Sequence, residues 1–172
     1  MTHHIRAATA SDISQCLAIS NASAVHGHAN FAIEPETLDA WQQAFDADTP
    51  RFPWYVGSTD ECVCGFARAT PWRSRCGYRH TAEVSVYIDP VSQGCGLGRR
   101  LYAALLPAVE SSGLHCIVAA IALPNPESIA LHESFGFTQT AVFHEIGRKF
   151  DRWWDVGYWE LVFKDGDDAS SG

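Results

Sequence analysis

The sequence predicts one domain of the α/β class, with about six or seven strands and about four helices. Segments with strand and helix periodicity follow one another in the order β-α-α-β-β-β-α-β-α-β-β, and no internal repeat interrupts them. The chain has 172 residues, of which 47% are hydrophobic. That is enough apolar material for one core but not for two. We expect the domain to span residues 1–164 and the acidic stretch 165–172 to be a solvated, disordered tail.

The first third of the chain predicts a strand followed by two helices. A short strand is expected at about residues 4–8, and Thr9 is placed to cap a helix whose apolar positions recur from Ile13. Pro35 and Glu36 are expected to open a second amphipathic helix. Proline is tolerated in a first helical turn, and an acidic residue suits the positive end of the helix dipole.

Three antiparallel strands are expected next. Two strand-like runs between about residues 54 and 68 flank the polar tetrapeptide 58–61, which has the composition of a hairpin turn. In the following run, AEVSVYIDP, aliphatic residues alternate with Glu83, Ser85 and Tyr87. The carboxylate and the phenol should therefore share one face of this strand.

The remaining elements begin with a helix entered through a glycine-rich loop. Leucines at helical spacing from Leu97 define it, Gly113 closes it, and Pro107 inside it predicts a kink or an early end. Further elements are expected as a buried strand at 116–121, a short helix at 125–135, and closing strands around 138–145 and 157–163.

Composition excludes several classes of function. Lys plus Arg number 12 against 20 Asp plus Glu, a net charge of −8, which argues against binding to nucleic acid. There is no apolar run long enough to cross a membrane and no signal-peptide pattern, so a cytoplasmic protein is expected.

The cysteines and histidines do not have the spacing of a metal site. The six cysteines lack any C-x-x-C pair, so we expect free thiols that act as small buried hydrophobic residues, including Cys62 and Cys64 on one strand face. His132 has no histidine four positions later, so no metal is expected.

The glycine-rich loop is the most informative motif. Gly94, Gly96 and Gly98 precede a helix, and Arg99 and Arg100 follow on its first turn. Backbone amides in such a loop can converge on one anion, and the helix dipole adds positive potential, so phosphate is the expected ligand. The alternative is a simple tight turn. The glycine spacing matches neither the dinucleotide fingerprint nor the P-loop.

The glycine loop and three other segments of the chain resemble those of a known enzyme family. The run QGCGLG from Gln93 to Gly98 resembles the Gln/Arg-x-x-Gly-x-Gly loop of the GNAT acetyltransferase superfamily. Together with it, AEVSVYIDP, AIALPNPESIALHESFGF and KFDRWWDVGYWEL resemble the phosphinothricin acetyltransferase family over nearly the whole chain. The resemblance implies the GNAT fold with a mixed central sheet, acetyl-CoA as cosubstrate, and a homodimer.

The resemblance also implies a set of residues around the cofactor. The backbone on either side of Tyr87 would align the pantetheine arm, the glycine loop would hold the pyrophosphate, and Asn125 would contact the cofactor. The cofactor-binding residues expected on this basis are Val86, Tyr87, Ile88, Gly94, Cys95, Gly96, Leu97, Gly98, Arg99 and Asn125.

Glu83 and His132 are the candidate catalytic residues. The resemblance places the family's catalytic glutamate at Glu83, where burial or a relaying water would let a weak base take the proton of an ammonium group. His132 stands where this family carries a histidine that can serve as acid or base. The alternatives are an ordinary strand carboxylate paired with an arginine, and a structural or solvated histidine.

An arginine cluster suggests an anionic acceptor. Four of the ten arginines lie between Arg68 and Arg79, next to Trp72 and Tyr78. Guanidinium groups match carboxylates or phosphinates bidentately, although ordinary surface ion pairs explain the cluster equally well. With the residues that the resemblance adds, the expected substrate-binding set is Phe31, Arg73, Arg75, Tyr78, Tyr87 and Lys149.

The predicted function is therefore N-acetylation of a small anionic amino acid. The resemblance implies acceptors of the phosphinothricin, methionine sulfone or sulfoximine, or arsinothricin type, acetylated by direct attack. Two alternatives stay open. One is the same chemistry on a peptide N-terminus or a polyamine, and the other is a non-catalytic CoA-binding sensor.

Overall fold

The computed structural model describes residues 3–48, 51–60 and 62–163. Seven strands form one mixed sheet with helices on both faces, which confirms the predicted fold class. The predicted tail at 165–172, Lys164 and the hairpin residue Glu61 lie outside the described residues. The strands are β1 (His4–Ala7), β2 (Trp54–Ser58), β3 (Val63–Pro71), β4 (Thr81–Ile88), β5 (Cys116–Ala122), β6 (Thr138–Lys149) and β7 (Arg152–Val162). The helices are α1 (Ile13–His26), α2 (Leu38–Asp48), α3 (Leu97–Ser111) and α4 (Pro126–Glu133).

The strand order across the sheet is β1-β2-β3-β4-β5-β7-β6. Every neighbouring pair is antiparallel except β4 and β5, which run parallel. A parallel pair needs a long crossover, and here α3 supplies it. The glycine-rich loop therefore lies at the carboxyl end of β4, where the chain leaves the sheet.

Two apolar clusters hold the helices to the sheet. On one face, α1 and α2 pack on Trp54, Val56 and Phe66, all 2% exposed or less. On the other face, α3 packs through the fully buried residues Leu101 and Leu105. This burial of large apolar side chains is the main stabilising contribution to such a fold.

The second helix begins later than predicted. It starts at Leu38, and Pro35 and Glu36 lie before it. Thr37 caps the first turn: its carbonyl accepts from the Trp41 amide at 3.2 Å and its hydroxyl from the Ala40 amide at 3.4 Å. A threonine side chain satisfies the free amides of a helix start better than proline can.

Pro107 does not end its helix, so the predicted early end was wrong. The helix α3 continues through this residue to Ser111. Both Pro107 and Ala103, whose carbonyl loses its helical partner, are exposed. Water can therefore satisfy that carbonyl, and the buried face of the helix is undisturbed.

The two closing strands are longer than predicted. β6 extends to Lys149 and β7 begins at Arg152, with these two residues paired across a two-residue turn. The turn residues Phe150 and Asp151 both have a φ of 53°. A positive φ at both positions suits a tight hairpin, although the sequence lacks the glycine that usually marks one.

The six cysteines are free thiols, but only two are buried. Cys16 and Cys64 are buried as predicted, whereas Cys62, Cys76 and Cys95 are exposed and Cys116 is intermediate. The Cys62 and Cys64 sulfurs are 4.0 Å apart, although Cys62 precedes β3, which begins at Val63. Cys62 is exposed because it directly follows the β2–β3 turn.

The junction of β1 and α1 depends on a buried carboxylate. Asp12 accepts from the Arg6 guanidinium through both oxygens, at 2.6 and 2.8 Å, and from the Thr9 amide at 2.8 Å. The hydrogen bond from Arg6 is the main reason that the pKa of Asp12 falls from 3.8 to about 2.

We expect Asp12→Asn to lower the free energy of unfolding at pH 7 by about 2 kcal/mol. Because the pKa of Asp12 is lower in the folded than in the unfolded chain, its stabilisation is present above pH 3.8 and is lost as pH falls toward about 2. Urea unfolding across that range should show wild type and variant converging. Glu110→Gln, on the exposed side of α3, is the control. If the free energies of unfolding of wild type and Asp12→Asn differ by a constant amount down to pH 2, the lowered pKa of Asp12 is not the source of the stabilisation.

Candidate active site

A cavity opens where β4 and β5 separate. The two strands pair only at three positions, which end at Glu83 and Val118. Beyond this point β4 continues to Ile88 beside β3, and β5 continues to Ala122 beside β7. The facing edges of residues 84–88 and 119–122 therefore lack a strand partner, which leaves their backbone groups open to a ligand. The cavity has a volume of about 880 Å³, large enough for a cofactor.

The glycine loop and the start of α3 form one wall of this cavity. Gly94 and Gly96 have φ values of +73° and +75°, and a Cβ atom at either would meet nothing within 4 Å. Glycine adopts this backbone without strain, and the open space above it admits a ligand. The first residues of α3 line the same wall, so the free amides and the positive dipole end of that helix are available to an anion.

Two arginines follow this loop and diverge. Arg99 lines the cavity and donates to the Ser134 hydroxyl at 3.2 Å. Arg100 instead donates to the carbonyl of His3 at 2.5 Å. Arg99 is therefore available to an anion in the cavity, whereas Arg100 is committed to the region of β1.

The C-terminal half of α1 and the residues after it form another wall, which sequence reasoning missed. No motif marks this segment, since its role follows from how α1 packs on the sheet. The lining residues contributed here are Ile19, Ala22, Ser23, His26, Gly27 and Ala29.

Glu83 is the last residue of β4 that pairs with β5, and it lines the cavity at that point. Burial raises the pKa of Glu83 above its ordinary value of 4.5, while the positive charges of Arg68 and Arg73 lower it. Arg68 is held with its guanidinium carbon 4.3 Å from the ring centre of Trp41 and 4.8 Å from that of Trp54. The site thus combines a carboxylate of raised basicity with cations that favour its ionised form.

His132 also lines the cavity but is 3% exposed, and both ring nitrogens have partners. Nδ1 lies 2.7 Å from the Ser128 carbonyl oxygen, so it must carry a hydrogen. Nε2 then accepts from the Tyr102 hydroxyl at 2.9 Å. Burial lowers the pKa of His132, which keeps the ring neutral near pH 7. The fully buried Tyr102 was not singled out from sequence, where it reads as one more residue on the apolar side of α3.

The structure brings nine of the ten predicted cofactor residues to the cavity. The exception is Cys95, whose exposed thiol donates to the Ser92 carbonyl at 2.9 Å. Asn125 lines the cavity and also caps α4, where its side chain accepts from the Ser128 amide at 3.1 Å. The residues at the cavity are Val86, Tyr87, Ile88, Gly94, Gly96, Leu97, Gly98, Arg99 and Asn125.

The predicted acceptor-binding residues are more scattered. Tyr87 lines the cavity, and Arg73 stacks on Trp72 with its charge close enough to affect Glu83. Arg75 and Tyr78 are exposed on the connection between β3 and β4 and do not line the cavity.

The other two predicted acceptor residues contact the chain itself rather than the cavity. Lys149 is 6% exposed, and its ammonium donates to the carbonyls of Ala24 and Asn30. The ring of Phe31 packs against Gly147, where a Cβ atom would come within 2.6 Å of it.

Comparison with known proteins agrees with this arrangement. The profile of the Acetyltransferase (GNAT) family matches residues 18–137. The chain belongs to this family. It is therefore an acetyl-CoA-dependent acetyltransferase, and the GNAT fold expected from the resemblance is confirmed.

Several individual GNAT proteins are similar over most of their length. A phosphinothricin N-acetyltransferase from Streptomyces viridochromogenes is 38% identical over 93% of this chain and 87% of its own. An L-methionine sulfoximine/L-methionine sulfone acetyltransferase from Salmonella typhimurium is 36% identical over 91% of this chain and 92% of its own. The structure of a putative acetyltransferase from Salmonella typhimurium with acetyl-CoA superposes with a TM-score of 0.91 at 33% identity and covers both chains completely.

Two further observations concern metals and membranes. Across residues 3–48, 51–60 and 62–163, the structure contains no group of three or more histidine, cysteine or acidic side chains arranged to hold a metal ion. Over the same residues, the GNAT domain has no helix of sufficient length and apolarity to span a membrane.

Proposed function

We propose that this enzyme transfers the acetyl group of acetyl-CoA to the amino group of a small anionic amino acid, by direct attack. The proposal depends on the position of Glu83, a half-buried carboxylate at the point where β4 and β5 separate, in the same cavity as a glycine loop suited to an anion. Its relatives include enzymes named for phosphinothricin and for methionine sulfoximine and sulfone.

The cosubstrate would lie between the split strands and the glycine loop. Bound acetyl-CoA supplies an acetyl group already activated as a thioester. The amides of residues 94–99 and the Arg99 guanidinium are suited to its diphosphate, and the unpaired backbone edge at Val86 and Ile88 is suited to the amides of its pantetheine arm. The open space at Gly94 and Gly96 fits a bulky phosphate group.

Glu83 would prepare the acceptor for attack. An amino acid arrives at neutral pH as an ammonium ion, which has no lone pair, so a base must take one proton before the nitrogen can attack. Burial makes Glu83 a stronger base than a carboxylate in water, and one ordered water can relay the proton to it.

His132 would serve as the second acid or base, completing the predicted pair. As the new C–N bond forms, the C–S bond of the thioester would break, and the departing CoA sulfur would take up a proton from this pair or from water. The place of His132 in the cavity lining and its neutral ring support this role. Since Nε2 already accepts from Tyr102, proton uptake there requires the Tyr102 hydroxyl to give up that hydrogen bond. The proton transfer in which His132 takes part is therefore coupled to the orientation of a buried tyrosine.

The acceptor's anionic group would be held on the arginine side of the site. Arg73 is the favoured contact because its charge is close enough to Glu83 to lower the pKa of that carboxyl. Arg75 and Tyr78 would approach only if the β3–β4 connection folds over the acceptor. Tyr87 would border the acceptor, whereas Phe31 and Lys149, which contact the chain rather than the cavity, would act from behind the cavity wall.

A thiol-release assay tests the proposed function. Purified enzyme with acetyl-CoA should release CoA rapidly with phosphinothricin, methionine sulfone, methionine sulfoximine or arsinothricin, and slowly with a tripeptide or spermidine. If CoA is released fastest with the tripeptide or spermidine, the acceptor is a peptide N-terminus or a polyamine. Thermal stabilisation by acetyl-CoA without transfer to any acceptor would identify a CoA-binding sensor.

We also propose that the enzyme is a cytoplasmic homodimer. Large apolar side chains are exposed on β6 and β7, among them Phe143, Ile146 and Trp153. Several large exposed apolar side chains on one hairpin are typical of an interface between subunits. Light scattering at micromolar concentration should give twice the chain mass, and a monomer would contradict the dimer.

A further inference from the structure

The buried ammonium of Lys149 has an unusual environment. Its two hydrogen-bond acceptors are the backbone carbonyl oxygens of Ala24 and Asn30, and the ring centre of Phe150 lies 5.2 Å from Nζ. No carboxylate among the described residues forms an ion pair with it. Burying a cation away from any carboxylate costs free energy, and the two carbonyl contacts and the Phe150 ring must offset that cost.

Both carbonyls belong to the segment that leaves α1. Ala24 is in the last turn of this helix, where carbonyls lack a helical partner and a cation is favourable. Asn30 follows the helix end, and its side-chain amide reaches back to the Ser20 hydroxyl and carbonyl at 3.1 and 3.2 Å. One ammonium group thus joins the end of β6, the end of α1 and the turn that follows it.

Other contacts tie the same segment to the β6–β7 hairpin. The His28 ring stacks on Trp154 with 4.0 Å between ring centres and 4° between planes, and its Nε2 is 3.0 Å from the Pro124 carbonyl. The Phe31 ring occupies the space above Gly147. The segment 26–31 is therefore fixed from one side by the hairpin.

This fixed segment is also part of the cavity wall. His26, Gly27 and Ala29 line the cavity that contains Glu83. Anything that loosens the segment moves the wall beside the reacting groups, and a displacement of about 1 Å can cost up to a hundredfold in rate.

We propose that Lys149 is a positioning residue for the acceptor: its ammonium fastens the segment 24–30 to β6 and so fixes the wall against which the acceptor amine is held. It does not bind the acceptor's carboxylate. This inference rests on the proposed function for its kinetic consequence, but the tether itself can be measured without turnover.

The kinetic test uses two acceptors that differ only in the carboxylate, L-methionine sulfone and its carboxamide. Lys149→Met should raise the KM of both by the same factor, about tenfold or more. It should leave the KM for acetyl-CoA unchanged, and Lys149→Arg should keep most of the activity. Arg148→Met is the control, since that exposed neighbour contacts Asp151 at 3.1 Å and the Trp153 ring, both within the β6–β7 hairpin. An increase in KM confined to methionine sulfone would show direct binding of its carboxylate and overturn the proposal. An unchanged KM for both acceptors would overturn it as well.

Hydrogen exchange gives the second measurement. Amides of residues 24–31 should exchange faster in Lys149→Met than in wild type, and Lys149→Arg should restore protection. Unchanged hydrogen exchange in Lys149→Met would show that Lys149 does not fasten the segment, even if activity fell.

Should Lys149→Met fail to fold, a second variant replaces it. Asn30→Ala loosens the same segment with the lysine in place and should raise the KM of the acceptor in the same way. An unchanged KM in Asn30→Ala would count against the proposal. If wild type acetylates no amino acid, the proposed function fails, while hydrogen exchange still decides the tether.

Discussion

Glu83→Gln is expected to lower kcat by about 10² to 10⁴-fold, because an amide cannot accept the proton of the acceptor ammonium. The substitution keeps the size of the side chain and the pairing of β4 with β5. The KM for acetyl-CoA should therefore change little. Initial rates at saturating acetyl-CoA, with the best amino acid acceptor, measure the effect.

The pH profile gives the same prediction a second readout. Because burial raises the pKa of Glu83, wild-type turnover should be lost as pH falls through a value above 4.5, where the carboxyl group becomes protonated and cannot act as a base. The residual activity of Glu83→Gln should lack this acidic limb.

Two further variants show whether the loss of turnover is specific to the proposed catalytic residues. Glu127 is another carboxylate at the cavity, and Glu127→Gln should retain nearly full turnover. His132→Ala should also lower kcat without weakening acetyl-CoA binding. Unchanged turnover in Glu83→Gln or in His132→Ala would remove that residue from the mechanism.

Gly98→Leu is expected to weaken acetyl-CoA binding by about 100-fold or more, since it would fill the space between α3 and α4 that the cofactor needs. A Cβ atom at this position lies 3.4 Å from Leu131 and 4.0 Å from Val86, so a longer side chain extends among residues that line the cavity. Isothermal titration calorimetry with acetyl-CoA measures the loss.

Gly98→Ala is the matched control. Its single methyl group makes only a close van der Waals contact with Leu131, so affinity should stay within a few-fold of wild type. Thermal unfolding of both variants shows whether the fold is intact. Tight binding of acetyl-CoA by a folded Gly98→Leu protein would place the cofactor elsewhere.

Short-range patterns predicted several of the residues that line the cavity. Alternation along β4 placed Glu83 and Tyr87 on one face, and the spacing of the glycines before α3 predicted an anion-binding loop. Both features depend on neighbours within one element, where the period of a strand or the φ of a glycine decides the outcome. The family resemblance then supplied roles for individual residues that spacing alone leaves open.

Features that depend on distant packing were not predicted. The wall made by the end of α1 has no motif, and the burial of Lys149 requires carbonyls more than a hundred positions earlier in the chain. Likewise, nothing in the helical pattern of α3 shows that Tyr102 meets His132. The lengths of β6 and β7 were underestimated because Phe150 and Asp151 form a tight turn without a glycine.

A crystal structure of the enzyme with acetyl-CoA would show directly where the cofactor lies relative to Glu83 and the glycine loop. We expect the diphosphate against the amides of residues 94–99, the pantetheine arm between the separated strands β4 and β5, and the thioester in the part of the cavity that Glu83 lines. Density for the diphosphate away from the glycine loop, or a thioester remote from Glu83, would contradict this placement of the cofactor.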